Sequence, residues 1–295
     1  MAEKKQRQMQ SLDEVSLKQW IILLVVHFLV GAVAYSFVGV PVKALELEGD
    51  WAWLPDVLST LLIFTALFAS FAFFLPRICR VSLRAFLVGD EGVIDWRQTG
   101  VICAIYLVSA LVVTFVSAGF GANLTLNSAS AASILACFLI CLALSWTQTT
   151  WEELIFRGLA MRWACGNKIS PTRRCMVAAV VISLAFMAVH FTNPEVTSQT
   201  DPLQLVMALL YYFCAGFFLY LVDIAFGNLM PAVAIHWVNN FMGFAVIGQA
   251  GTALMGQTLV IDHSVGTGAM NLLVGILAYT PVLIYSWNHY RKVHA

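Results

Sequence analysis

Two adjacent carboxylates, Glu152 and Glu153, stand in an apolar stretch of the chain, and Arg157 follows the second by four residues. On a helix Glu153 and Arg157 share one face, with the acid nearer the amino end, an order that favours an ion pair. Glu152 is rotated by about 100°, so we predict that it lacks this partner and points to another part of the protein. An unpaired carboxylate in a low dielectric can act as a general base near neutral pH. The same residues would also suit a Glu/Arg network that only holds helices together.

Two further motifs place polar groups at helical spacing. Phe186 and His190 are four residues apart, as are His236 and Asn240. An imidazole can exchange a proton near neutral pH, and an amide can donate to a developing negative charge. Each residue also has a structural interpretation, because aromatic residues pack and polar side chains in a membrane often bridge helices.

Long apolar runs carry these motifs. A run of roughly 20 apolar residues is needed to cross about 30 Å of hydrocarbon, and its backbone groups must be paired internally, as in a helix. The sequence predicts eight such spans, at 17–40, 54–75, 100–120, 131–160, 176–192, 203–226, 229–248 and 268–288. We therefore predict an all-α, polytopic transmembrane helix bundle.

The composition agrees with a membrane solvent. Hydrophobic residues make up 60% of the chain and charged residues only 11%, against roughly 25% charged residues in a soluble domain. Acidic and basic residues are equal at 16 each, so net charge indicates no nucleic-acid partner. The seven cysteines form no Cys-x-x-Cys pair, which favours free thiols.

The distribution of basic residues predicts the orientation. Lys and Arg concentrate at 4–18, 77–97, 162–174 and 291–292. These segments fall on one side when eight spans alternate, and the positive-inside rule makes that side cytoplasmic. The predicted organisation is a cytoplasmic tail at 1–16, one transmembrane domain at 17–290 and a cytoplasmic tail at 291–295. Short loops suit a bacterial plasma membrane.

Two other ionisable residues lie in or near the spans. His27 has no polar companion at helical spacing, so we interpret it as a packing residue or a helix contact. Asp223 precedes Gly227 and Asn228 at a turn, where we expect a solvated helix end.

Taken in order, Glu152-Glu153-x-x-x-Arg157, Phe186-x-x-x-His190 and His236-x-x-x-Asn240 resemble the three motifs of the CPBP family, the CAAX protease and bacteriocin-processing group that includes the type II CAAX prenyl endopeptidases. The resemblance spans roughly 145–245, within a family-like core at about 131–248. Each motif is weak alone, but three in order on separate spans are specific.

The resemblance implies hydrolysis of a peptide bond inside the membrane. Glu152 and His190 would activate a water molecule, and His236 and Asn240 would stabilise the oxyanion. Glu153, Arg157 and Phe186 would support the site. The implied partners are membrane lipid and a substrate that is a membrane-associated peptide or a membrane protein.

A metal is the alternative form of this chemistry. Glu152, His190 and His236 could bind zinc with one open position, as catalytic zinc requires. The sequence lacks His-Glu-x-x-His, the zincin signature, and we favour hydrolysis without a cofactor. It also lacks Gly-x-Ser-Gly and Gly-x-Gly-Asp, which disfavours serine and aspartyl chemistry.

Two non-enzymatic interpretations remain. The same bundle could be a membrane scaffold or a bacteriocin-immunity-type protein that binds a peptide without cutting it. Intramembrane charges also suit a transporter, but the sequence shows no inverted repeats or paired broken helices.

Overall fold

The computed structural model describes residues 11–89, 92–119, 123–159, 172–249, 256–263 and 268–294. The α-helices are α1 Leu17–Ala34, α2 Val40–Lys43, α3 Leu54–Ile78, α4 Leu83–Val88, α5 Trp96–Gly119, α6 Ala131–Glu153, α7 Arg173–Val189, α8 Pro194–Thr197, α9 Pro202–Phe226, α10 Met230–Phe241 and α11 Gly268–His294. π-Helical segments at Tyr35–Gly39, Leu154–Leu159 and Met242–Val246 continue α1, α6 and α10.

Six helical segments are long and apolar enough to cross a membrane: Leu17–Lys43, Gly49–Ile78, Trp96–Gly119, Ala131–Leu159, Pro202–Phe226 and Gly268–Val293. The prediction of an all-α, polytopic membrane bundle is confirmed. The other two predicted spans correspond to α7, of 17 residues, and α10, of 12 residues. Both are shorter than the six, so the count of eight remains a prediction.

Long-range hydrogen bonds show which helix ends lie together. The start of α1 meets the end of α3, where Gln19 donates to the carbonyl of Ile78 at 2.9 Å. The start of α5 meets the end of α11 through Gln98 and His289. Described basic residues at 77–84, 97 and 291–292 therefore lie at one end of the bundle, while residues 1–10 and 160–171 lie outside the described chain.

The opposite end carries a small sheet that the sequence did not predict. Its strands are β1 Leu124–Leu126, β2 Ile247–Gln249 and β3 Val260–Asp262, in the order β1-β3-β2. β1 pairs antiparallel to β3, and β2 pairs parallel to it. The sheet thus ties the segment after α5 to the segments that precede α11.

α6 lies in the middle of the bundle, packed against α3 on one side and α10 on another. α9 packs against α7, α10 and α11, and α5 packs against α10 and α11. Three apolar clusters fill the spaces between these helices. Six cysteines in the described chain, at 79, 103, 137, 141, 175 and 214, are free thiols as predicted.

Of the predictions for the two other ionisable residues, the one for His27 agrees with the structure and the one for Asp223 does not. His27 is buried and its Nε2 accepts a hydrogen bond from the indole N–H of Trp151 at 2.5 Å, a contact between α1 and α6 as interpreted. Asp223 is fully buried, so the expectation of a solvated end is wrong. The turn after α9 folds back, and Leu229 donates to the carbonyl of Leu87, which covers this end of the helix.

Candidate active site

The last turn of α6 and the π-helical segment after it contain a buried ion pair. Nη1 of Arg157 lies 2.8 Å from Oε1 of Glu153, and the two side chains are 2% and 0% exposed. The second guanidinium nitrogen donates to the carbonyl of Gly216 on α9 at 3.2 Å. The pair predicted from the spacing is therefore present, and it also binds α6 to α9.

His236 on α10 contacts both glutamates. Its Nδ1 lies 2.7 Å from Oε1 of Glu153, and its Nε2 lies 3.6 Å from Oε2 of Glu152. As predicted, Arg157 pairs with Glu153 and not with Glu152 in the described chain. The expectation that Glu152 points to a different part of the bundle is wrong, because both carboxylates face His236. An imidazole presents two nitrogens from separate edges of one ring, so a single histidine reaches two carboxylates that are neighbours along the helix.

Glu152 has a second neighbour on its own helix. Nε2 of Gln148, one turn earlier, lies 3.4 Å from Oε1 of Glu152, and Gln148 is buried. Sequence reasoning missed this residue, although the spacing of four was a usable signal.

The turn between α9 and α10 directs His236 towards α6. Gly227 adopts a left-handed conformation with φ of 66°, which glycine tolerates at a helix end. Oδ1 of Asn228 accepts from the backbone N–H of Met230 at 3.1 Å, and Pro231 follows in the first turn, where proline is well tolerated. α10 therefore runs back alongside α9 and faces α6.

Phe186 on α7 lies between the ion pair and the histidines. The guanidinium carbon of Arg157 is 4.8 Å from the centroid of its ring, a cation–π arrangement. The ring centroids of His190 and His236 lie at 4.5 and 6.1 Å from that of Phe186. One aromatic side chain thus links the α7 motif to the other two.

His190 follows the last residue of α7, and one of its ring nitrogens is already engaged in a hydrogen bond. Its Nδ1 lies 2.6 Å from the carbonyl oxygen of Phe186. A carbonyl oxygen only accepts, so Nδ1 carries a proton and Nε2 of the neutral ring is left as an acceptor.

Tyr212 on α9 supports His190 and was not predicted. The two rings stack with centroids 4.1 Å apart and planes inclined by 20°. The Tyr212 hydroxyl hydrogen-bonds the carboxylate of Glu195, which also accepts from Asn193 at 3.0 Å. No spacing pattern connects residues on α7, α8 and α9, so the sequence contained no signal for this contact.

Asn240 lies one helical turn beyond His236 and is 4% exposed. Its Oδ1 accepts from Nδ2 of the adjacent Asn239 at 3.1 Å. Within the described chain it makes no hydrogen bond to Glu152, His190 or His236. The structure thus brings six predicted residues into one connected cluster and places Asn240 beside it on α10.

This arrangement combines carboxylates, imidazoles and an amide in a buried setting, as acid–base hydrolysis requires. Among the residues that the structure describes, no group of three or more His, Cys, Asp or Glu side chains is arranged to hold a metal ion.

Fold and cluster together define a multi-pass helical membrane protein with an acid–histidine site between its central helices. Residues 133–242 match the model of a protein family described as type II CAAX prenyl endopeptidase Rce1-like. This segment is therefore similar to the type II CAAX prenyl endopeptidases, and the predicted resemblance to CAAX proteases is confirmed. The matched segment covers a little over a third of the chain and includes all seven predicted site residues. No curated protein and no solved structure matches the chain.

Proposed function

We propose that this protein is an intramembrane endopeptidase that hydrolyses a peptide bond in a membrane-associated peptide, with prenylated CAAX-type tails as the first substrate class to test. One observation carries the proposal. Inside the Rce1-like segment, the two nitrogens of His236 face the carboxylates of Glu152 and Glu153. A buried cluster with more polar groups than an ion pair needs is typical of a functional site.

The two glutamates differ in the group that balances their negative charge. Arg157 neutralises Glu153, and an uncompensated charge is costly at this depth. The charge on Glu152 is balanced when His236 carries a second proton. In that state Nε2 of His236 is a hydrogen-bond donor, and Glu152 remains a base.

Hydrolysis then proceeds by addition of water. Glu152 and the acceptor nitrogen of His190 orient a water molecule, and Glu152 takes its proton as the oxygen attacks the scissile carbonyl carbon. His236 and Asn240 donate to the oxyanion that forms. The C–N bond breaks as Glu152 returns the proton to the leaving nitrogen, which yields an acid and an amine.

We favour this scheme without a metal ion, because Arg157 and a doubly protonated His236 would together balance the charge of the two carboxylates. The competing role is that of a scaffold or immunity-type protein, which would bind the peptide and leave it intact. Purified protein can be used to test both whether the peptide is cleaved and whether cleavage needs a metal ion.

The decisive variant is Glu152→Gln, which keeps the shape of the side chain and removes the base. Purified wild-type protein should cleave a quenched, S-farnesylated CAAX peptide in detergent micelles, and kcat of the variant should fall by about 100-fold or more. Glu48→Gln, in the exposed segment before α3, is the matched control and should keep full activity. A chelator should leave the wild-type rate unchanged.

The second experiment compares, by proteomics, the peptides in membranes from cells with wild-type protein and from cells with Glu152→Gln protein. Peptides that accumulate uncut with the variant identify substrates other than the farnesylated probe. A wild-type protein that cleaves neither the probe nor any cellular peptide would support the scaffold, and loss of activity with the chelator would support zinc.

A further inference from the structure

The amide of Asn240 is held by a chain of two hydrogen bonds that starts on another helix. The hydroxyl of Tyr106, on α5, donates to Oδ1 of Asn239 at 2.8 Å. Nδ2 of Asn239 donates in turn to Oδ1 of Asn240 at 3.1 Å. Residues from α5 and α10 thus converge on a side chain next to the proposed site.

The direction of these two hydrogen bonds decides whether Asn240 presents its amide nitrogen or its amide oxygen to the site. A primary amide has an acceptor end and a donor end, and a bond to the oxygen leaves the nitrogen pointing away. In the described residues, Nδ2 of Asn240 has no hydrogen-bond partner. Both of its N–H bonds are therefore available, as a donor to an oxyanion needs.

The reverse direction would disable that donor. If Asn240 gave its N–H to Asn239, its carbonyl oxygen would face the reacting carbonyl and repel the developing charge. Tyr106 opposes this reversal because its hydroxyl proton occupies the oxygen of Asn239. The ring of Tyr106 is 3% exposed and packs against that of Tyr279 at 5.1 Å between centroids, so the donor is held in place.

From these contacts we infer that Tyr106 and Asn239 are positioning residues that keep the amide nitrogen of Asn240 directed at the oxyanion. The inference rests on the proposed endopeptidase function and adds residues to that site. Tyr106 lies outside the segment 133–242 that matches the family model. The orientation of Asn240 thus depends on a helix that the match does not include.

Asn239→Asp is the sharpest test, because a carboxylate accepts from Tyr106 and from Asn240 and so reverses the second bond. With the farnesylated CAAX peptide as probe, kcat should fall by about tenfold or more, towards the loss caused by Asn240→Ala, while KM changes little. Adding Asn239→Asp to Asn240→Ala should cost nothing further, because its effect passes through Asn240. Independent effects would multiply instead.

Tyr106→Phe is the second variant, and Tyr285→Phe is its matched control. Tyr285 packs against the same apolar cluster but does not bond Asn239. Tyr106→Phe should lower kcat several-fold in the wild-type background and not in Asn240→Ala. Tyr285→Phe should leave kcat unchanged in both backgrounds.

Thermal unfolding in detergent tests the same pair of hydrogen bonds without measuring catalysis. Tyr106→Phe and Asn240→Ala should lower the Tm by less in combination than the sum of their separate effects. An inactive wild-type protein would refute the endopeptidase function. The combined effect of the two substitutions on the Tm would still test the hydrogen bonds from Tyr106 to Asn240. Additive effects on Tm, or additive effects on kcat in an active enzyme, would overturn the positioning role and leave the endopeptidase intact.

Discussion

Arg157 compensates a carboxylate that water cannot reach. Its partner Glu153 is 0% exposed and also accepts from His236, so three groups share one buried charge balance. Removing one member of a buried pair costs more than the pair contributes, because the remaining charge stays uncompensated.

Arg157→Leu should therefore destabilise the protein by about 3–5 kcal/mol, with loss of activity as a consequence. Lys43→Met is the control, since the pair of Lys43 with Asp56 at 3.3 Å has side chains that are 69% exposed, and exposed pairs contribute little. Thermal unfolding in detergent measures both variants. Equal Tm values for Arg157→Leu and the wild type would mean that the buried pair of Arg157 and Glu153 is not needed for stability.

Residue spacing predicted some of these contacts and missed others. The Glu153–Arg157 pair follows from one helix, because residues four apart always meet there. The contact between Glu152 and His236 depends on where α10 lies, and no local rule supplies that position. The same limit explains why Tyr212 and the bond from Tyr106 to Asn239 were not predicted.

At the scale of elements, the π-helical segment Leu154–Leu159 packs closely against α4. A Cβ atom added to Gly158 would lie 2.4 Å from Cε1 of Phe86 and 3.2 Å from Cδ1 of Leu229. Phe86 is fully buried, with its ring against Trp20, so it has little room to move. Glycine is needed here for close approach.

Gly158→Ala should destabilise the protein by about 1–3 kcal/mol through overpacking and shift the segment that carries Arg157. Gly100→Ala, on an exposed face of α5 with nothing within 4 Å of the added atom, should instead be neutral or stabilise by up to about 1 kcal/mol, as alanine favours helix. Thermal unfolding distinguishes the two. A neutral Gly158→Ala would show that α4 can withdraw freely.

The elements differ in how far they were predictable. Long apolar helices follow from hydropathy, since backbone groups in lipid have no other partners. The sheet could not be predicted because its strands are three residues long and pair across the chain. The shortness of α10 likewise reflects the turn at Gly227 and the switch to π-helix at Met242.

At the scale of the whole molecule, the described basic residues at 77–84, 97 and 291–292 lie at one end of the bundle. The loop before α3, which is flanked by the exposed pair of Lys43 and Asp56, and the start of α9 lie at the other end. We propose that the basic end faces the cytoplasm of a bacterial plasma membrane, with both termini on that side. This orientation requires an even number of spans, which eight would satisfy.

Fusion reporters test the orientation. Green fluorescent protein attached after Ala295 should fluoresce, because it folds in the cytoplasm. Alkaline phosphatase inserted after Leu47, in the segment before α3, should be active, because it requires the outer side. A dark carboxyl-terminal fusion together with an active phosphatase at the same position would reverse the C-terminal assignment and require an odd number of spans.

By itself, the sequence determined the class of protein, most of the helices and the residue types of the site, because these depend on composition and on periodicity within single segments. Only the tertiary structure decided which side chains meet. Whether Glu152 finds a partner, which nitrogen of His190 is free and which end of the Asn240 amide is held depend on contacts between helices far apart in the chain. Such contacts follow from the packing of the entire bundle, which no local pattern of residues encodes.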